Sequence, residues 1–155
     1  MVSDKEKIVI GSDHGAWDLK ETIKADLLSK AYQVEDYSKP TPEPVDYPQI
    51  GEKVARAVSD GSVKRGILMC GTGIGMSLVA NKFPGVRAAL CHDEFTARMS
   101  REHNDANVLV LGGRVLDKDL AKDIVKIWLE TAFAGERHAR RVAMIEEIEK
   151  ANLKA

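Results

Sequence analysis

Five times along this chain of 155 residues a short β-branched apolar run gives way to a helical stripe, with little chain between them. No other feature restricts the fold as much. The runs are residues 7–12, 32–37, 64–70, 86–91 and 106–111. Strands alternating with helices at short spacing form a parallel sheet covered by helices on both faces. The first stripe, after Ala16, places Leu19, Ile23 and Leu27 four residues apart and leaves Lys20, Glu21 and Lys24 for water. Ile50, Val54 and Val58 repeat the spacing until Asp60-Gly61 ends it. Further helices are expected over 76–83, over 93–103 with Phe95 and Met99 on one side, over 117–133, and from about 136 towards 150. Residues 38–48 hold four of the five prolines and read as a rigid, exposed loop. The expectation is an α/β chain forming one domain over 1–155, long enough to bury a core without disulfides or metals.

Right-handed crossovers bring the carboxyl ends of such strands to one edge, where ligands bind. Asp13-His14, the segment from Cys70 to Gly75, and Arg114 all follow strands at that edge. His92 does so less well, and His92-Asp93 reads as a helix cap. The densest signal is 66–77: an apolar run delivers Cys70 into Gly71-Thr72-Gly73-Ile74-Gly75, and a helix follows at once. Glycine lets the backbone turn and lets a ligand approach the main chain. A helix start leaves N–H groups without partners. Cys70 is then either a small buried hydrophobe or a general base beside an anion nest; Cys91, inside an apolar run, belongs to the core.

Nucleotide chemistry fits poorly. A dinucleotide loop needs G-x-G-x-x-G after the first strand, whereas this loop follows the third strand and has Met76 at the last glycine position. The Gly-Lys-Ser/Thr ending of a P-loop is missing too. A net charge of −1 without a basic stripe excludes a nucleic-acid partner. Apolar runs too short to span a bilayer exclude a membrane role, and polar residues 1–7 carry no leader signal. Two distant cysteines offer no zinc framework and suit the cytoplasm. Arg137 and Arg141 share a helix face, which is either a solvated surface or a phosphate clamp. His103-Asn104 closes a helix, as a cap or as a proton donor.

Taken together, Ser12-Asp13-His14-Gly15, the stretch Cys70 to Ser77, Arg101 to Asn107, Gly112-Gly113-Arg114 and Arg137-His138-Ala139-Arg140-Arg141 resemble the type B ribose-5-phosphate isomerases of the ribose/galactose isomerase family. The resemblance runs over nearly the whole chain. It implies a Rossmann-like three-layer α/β/α sandwich and a cofactor-free, metal-free aldose–ketose isomerase of a phosphosugar. It also implies a homodimer or homotetramer with active sites at the dimer interface. By the same resemblance Cys70 is the base moving a proton between C1 and C2. Backbone N–H groups of Gly71, Thr72, Gly73, Ile74 and Gly75 hold the enediolate oxygen, Thr72 also acts in catalysis at that oxygen or at the ring, and His103 opens the ring. Asp13, His14, Asn104 and Arg114 hold sugar and phosphate, and Arg137 and Arg141 the phosphate. One departure stands out: the family often has Gly-Gly where this chain has Gly135-Glu136. The tail arginines favour a pentose phosphate over galactose 6-phosphate. A six-carbon substrate such as allose 6-phosphate, a non-catalytic phosphosugar-binding module and a nucleotide-dependent oxidoreductase are the alternatives.

Overall fold

A computed structural model describes residues 5–153; residues 1–4, which carry part of the leader expectation, and 154–155 lie outside the described residues. β1 (Lys7–Ser12), β2 (Gln33–Asp36), β3 (Arg65–Cys70), β4 (Ala88–Leu90) and β5 (Val108–Gly112) form one parallel sheet in the order β2-β1-β3-β5-β4. Between them run α1 (Trp17–Ser29), α2 (Tyr47–Ser59), α3 (Ile74–Ala80) and α4 (Glu94–Glu102); α5 (Lys118–Glu130) and α6 (Arg137–Asn152) follow β5. The sheet order dictates the layers. Right-handed crossovers moving one way across the sheet put their helices on one face, and those moving the other way use the opposite face. Accordingly Leu19, Ile23 and Leu27 of α1 pack with Ile124 and Trp128 of α5 on Ile8, Ile10, Ile67, Met69, Leu109 and Leu111. Val54 and Val58 of α2 pack with Met76 and Ala80 of α3 on Val9, Leu68, Cys70, Val108 and Val110. Side chains alternate between faces along each strand, so the result is the three-layer α/β/α sandwich, Rossmann-like in kind.

Several boundaries differ from the sequence reading for local reasons. α2 starts at Tyr47, inside the proline segment, because Pro48 sits in its first turn, where its missing N–H costs nothing. β4 covers three residues rather than 86–91. Amide side chains bracket its start: Asn81 Oδ1 accepts from the Ala88 N–H at 2.9 Å on the free edge, and Asn107 Oδ1 from the Arg87 N–H at 2.8 Å on the β5 side. In α4 it is Ala97 and Ser100 that face the core, while Phe95 is 70% exposed. Asp93 caps that helix, accepting from the Thr96 N–H at 2.7 Å. Among the described residues no helix is long and apolar enough to cross a membrane.

The Gly135-Glu136 departure has a backbone consequence. Gly135 lies at φ 71°, and Glu136 follows at φ 50°, ψ −122°, just before α6 begins. A side chain is poorly tolerated there, at a cost of about 1–3 kcal/mol. Glu136→Gly removes that strain and loses about 0.5–1 kcal/mol to chain entropy. A net gain near 1 kcal/mol, raising Tm by roughly 2–4 °C, is the expected result of thermal unfolding.

Candidate active site

The sheet order reverses between β1 and β3, and a crevice opens where neighbouring loops diverge from such a point. Ser12 and Cys70 end those two strands. Beyond Ser12, buried Asp13 accepts from the Gly15 N–H at 2.9 Å and so shapes the 3-10 turn His14–Ala16. His14 stands exposed, and its Nδ1 accepts from the Val45 N–H at 3.3 Å, tying the proline loop to the crevice. The two loops touch: a Cβ on Gly15 would lie 3.3 Å from the Gly71 nitrogen.

The Cys70 loop is stitched to the end of β5. Cys70 C=O accepts from the Gly113 N–H at 2.8 Å, and Gly71 C=O from the Arg114 N–H at 2.9 Å. Arg114 lays its guanidinium over the loop, with Nη1 3.3 Å from where a Gly71 Cβ would be. Gly73 takes φ 82° at the start of α3, a conformation glycine adopts without strain. Thr72 Oγ1 accepts from the Ile74 N–H at 3.2 Å, which takes the Ile74 amide from the ligand and orients the hydroxyl. Within the described chain no hydrogen bond uses the N–H of Gly71, Thr72 or Gly73, leaving them for a ligand oxygen. Asp13, His14, Cys70 to Gly75 and Arg114 therefore meet in one crevice. Tyr47 had no role in the sequence reading, yet its ring fills the space beside Gly75, 2.5 Å from a Cβ built there. Nothing in the local pattern marks it, because the contact joins α2 to the loop across the fold.

Gly112 carries the loop's position. A Cβ there would sit 2.7 Å from the Thr72 carbonyl oxygen and 2.8 Å from its carbon, both backbone atoms. Gly112→Ala must push the thiol loop away. The expected outcome is at least a tenfold fall in kcat/KM with about 1–3 kcal/mol of lost stability, read by steady-state kinetics and denaturant unfolding.

The remaining expected residues lie elsewhere. α4 leaves the carboxyl end of β4 and returns to the amino end of β5, so His103 and Asn104 emerge at the opposite edge of the sheet. β3 alone, over six residues, separates the two edges by about 16 Å. The His103 ring stacks on His138, with centroids 4.1 Å apart and planes 10° from parallel. That stack and the bond from the Ala134 N–H to Glu102 C=O, 3.0 Å, bring the start of α6 with exposed Arg137 and Arg141 to His103. Burial first, then the nearby His103, Arg137 and Arg141, push the His138 imidazole below its ordinary range. His138 had no role in the sequence reading, although its place beside Arg137 on a helix start was visible. Arg101 is structural here: Nη1 donates to Asp105 Oδ1 at 2.9 Å and to Ala106 C=O at 2.6 Å, holding the turn behind His103.

A cavity of about 640 Å³ also opens at the amino edge. Its arginines are already satisfied, Arg65 by Glu6 and Arg101 by Asp105, so it is not where an anion is best held. Cys91 is 1% exposed among core side chains, and burial pushes its thiol up.

A parallel sheet with a thiol, open backbone amides and an arginine at its switch point defines an α/β enzyme for a small anionic substrate. The chain matches the Ribose/Galactose Isomerase family over residues 8–145. It is 46% identical to ribose-5-phosphate isomerase B of Escherichia coli, over 94% of this chain and 97% of that one. It is 48% identical to D-erythrulose-4-phosphate isomerase of Pectobacterium atrosepticum, over 89% and 91% of the two chains. A solved structure of ribose-5-phosphate isomerase B from Clostridium thermocellum superposes with a TM-score of 0.92 at 55% identity, over 95% and 99% of the chains. The chain belongs to the ribose/galactose isomerase family and is an aldose–ketose sugar-phosphate isomerase.

Proposed function

We propose that this isomerase interconverts D-ribose 5-phosphate and D-ribulose 5-phosphate through a cis-enediolate. One observation carries the reading: Cys70 stands at the β1/β3 switch point with unused backbone amides on one side and Asp13-His14 on the other. His103 protonates the ring oxygen as the sugar opens. Cys70 takes the proton from C2 of the aldose and returns it to C1. The amides of Gly71, Thr72 and Gly73 hold the oxyanion while charge develops, an interaction worth about 10²–10³ in rate per donor. Asp13, His14, Asn104 and Arg114 hold the sugar. Arg137 and Arg141 form bidentate contacts with the phosphate, whose binding energy orients C1 and C2.

These groups occupy both edges of the sheet, so one chain does not assemble the whole set. Two copies related by a two-fold axis do, if the carboxyl edge of one meets the amino edge of the other. Exposed apolar side chains lie near both groups, Ile74 and Leu78 on α3 and Phe95 at the start of α4, and Met144, Ile145 and Ile148 on α6. We therefore place the active site between two chains of a homodimer, alone or within a homotetramer.

The test is conversion by purified protein, in chelator, of ribose 5-phosphate, with erythrulose 4-phosphate, allose 6-phosphate and galactose 6-phosphate assayed beside it. The highest kcat/KM is expected on the pentose. The 48% identity to an erythrulose-4-phosphate isomerase makes the four-carbon sugar the strongest competitor. Preference for another sugar moves the substrate and keeps the class. Binding of all four without turnover returns the chain to a phosphosugar-binding module.

A further inference from the structure

The turn carrying Asp13 and His14 is held from outside the crevice by a group the chemistry does not use. β1 runs two residues past its last register pair with β2, Ile10 with Asp36. Beyond it the Ser12 N–H donates to the side chain of Ser38, 2.9 Å to Oγ. Ser38 is set in turn by Asp36, whose Oδ1 accepts from the Ser38 N–H at 2.9 Å. The other carboxylate oxygen, Oδ2, accepts from Lys20 Nζ at 2.9 Å and Lys24 Nζ at 3.2 Å. Lys20 is 1% exposed, with its ammonium 3.6 Å from the centre of the Trp17 ring and 2.8 Å from Glu21 Oε1. It projects from the first turns of α1, the helix that the Asp13–His14 turn leads into.

Asp36 thus grips both ends of the sugar-binding turn. One oxygen reaches the segment before it, through Ser38 and Ser12. The other reaches the helix after it, through Lys20. Burial alone would raise the Asp36 carboxyl, but hydrogen bonds from Lys20 and Ser38 hold it below the usual range, so both oxygens stay acceptors.

We propose that Asp36 is a positioning residue for isomerisation, setting the Ser12–Gly15 backbone, through Ser38 and Lys20, so that Asp13 and His14 face the Cys70 loop. The claim rests on the reading of that crevice as the sugar site. An ion pair with only a structural role would make the same contacts, but its loss would lower stability without separating binding from turnover.

Ser38→Ala distinguishes the two, because it cuts the link to Ser12 and leaves the Lys20–Asp36 pair intact. The expected result is a fall of about 10–100-fold in kcat for the best sugar phosphate. Inhibition by inorganic phosphate, a probe of the arginine half alone, changes less than about twofold, and Ser38→Thr restores kcat. Asp36→Asn, which keeps an oxygen for Ser38 and removes the charge from Lys20, loses kcat in the same direction. Amide hydrogen exchange of the folded protein gives a readout independent of turnover: protection across residues 12–16 falls in Ser38→Ala and returns in Ser38→Thr. Wild-type kcat in Ser38→Ala overturns the proposal. So does unchanged protection at 12–16, or a lowered Tm with no rescue by threonine. If the wild-type chain turns over none of the sugar phosphates, the isomerase reading falls, and the exchange experiment still decides whether Asp36 and Ser38 hold the turn.

Discussion

Cys70→Ala is expected to lower kcat for sugar-phosphate isomerisation by about 10²–10⁴, the usual contribution of a positioned general base. Ligand binding should survive, because the arginines proposed to hold the phosphate lie on other elements. The fold should survive as well. Cys70 is 5% exposed at the end of β3, against the α2/α3 layer, and loses one sulfur in the exchange. A small cavity of that kind costs on the order of 1 kcal/mol. Measurements of kcat, phosphate inhibition and Tm on one preparation separate these effects. Cys91→Ala is the matched control: its thiol lies in the other core layer, its Sγ within 3.8 Å of Ala89 C=O, and its loss should leave kcat near wild type. Should Cys70→Ala keep wild-type turnover, the base lies elsewhere in the crevice.

Two inactive variants are expected to repair one another. Cys70→Ala damages the carboxyl-edge half, and His103→Gln the amino-edge half. Refolded together in equal amounts, half of the dimers pair unlike chains. Each such dimer holds one intact site, made from the undamaged edge of each partner, and one site damaged twice. Activity should recover to about one quarter of the wild-type value, against no more than about one hundredth for either variant alone. A site complete within one chain predicts no recovery at all. The physical basis is the polarity of α4, which carries the chain away from the thiol before His103 is reached. The stacked His103 and His138 rings then bind that half to the start of α6. Native electrophoresis of the mixture shows whether unlike chains have paired, so a failure to mix is not mistaken for an absence of complementation.

What the sequence determined by itself is the layer order and the set of residues gathered at the carboxyl edge. Apolar runs of period two, alternating with four-residue stripes, permit little besides a parallel sheet between helices. The spacing of Cys70, Gly71, Gly73 and Gly75 made the loop after β3 legible as an anion nest. Strand ends alone were enough to place Asp13, His14 and Arg114 beside it. The tertiary structure decided everything that depends on contacts between elements distant in sequence. Tyr47 fills the space beside Gly75, and Asp36 reaches Ser12 only through Ser38. Phe95 turns outward because Ala97 and Ser100 take the core side of α4. Above all, His103, Arg137 and Arg141 stand at the opposite edge from Cys70. A motif records which residues a site needs. The direction in which each helix runs across the sheet decides at which edge they emerge.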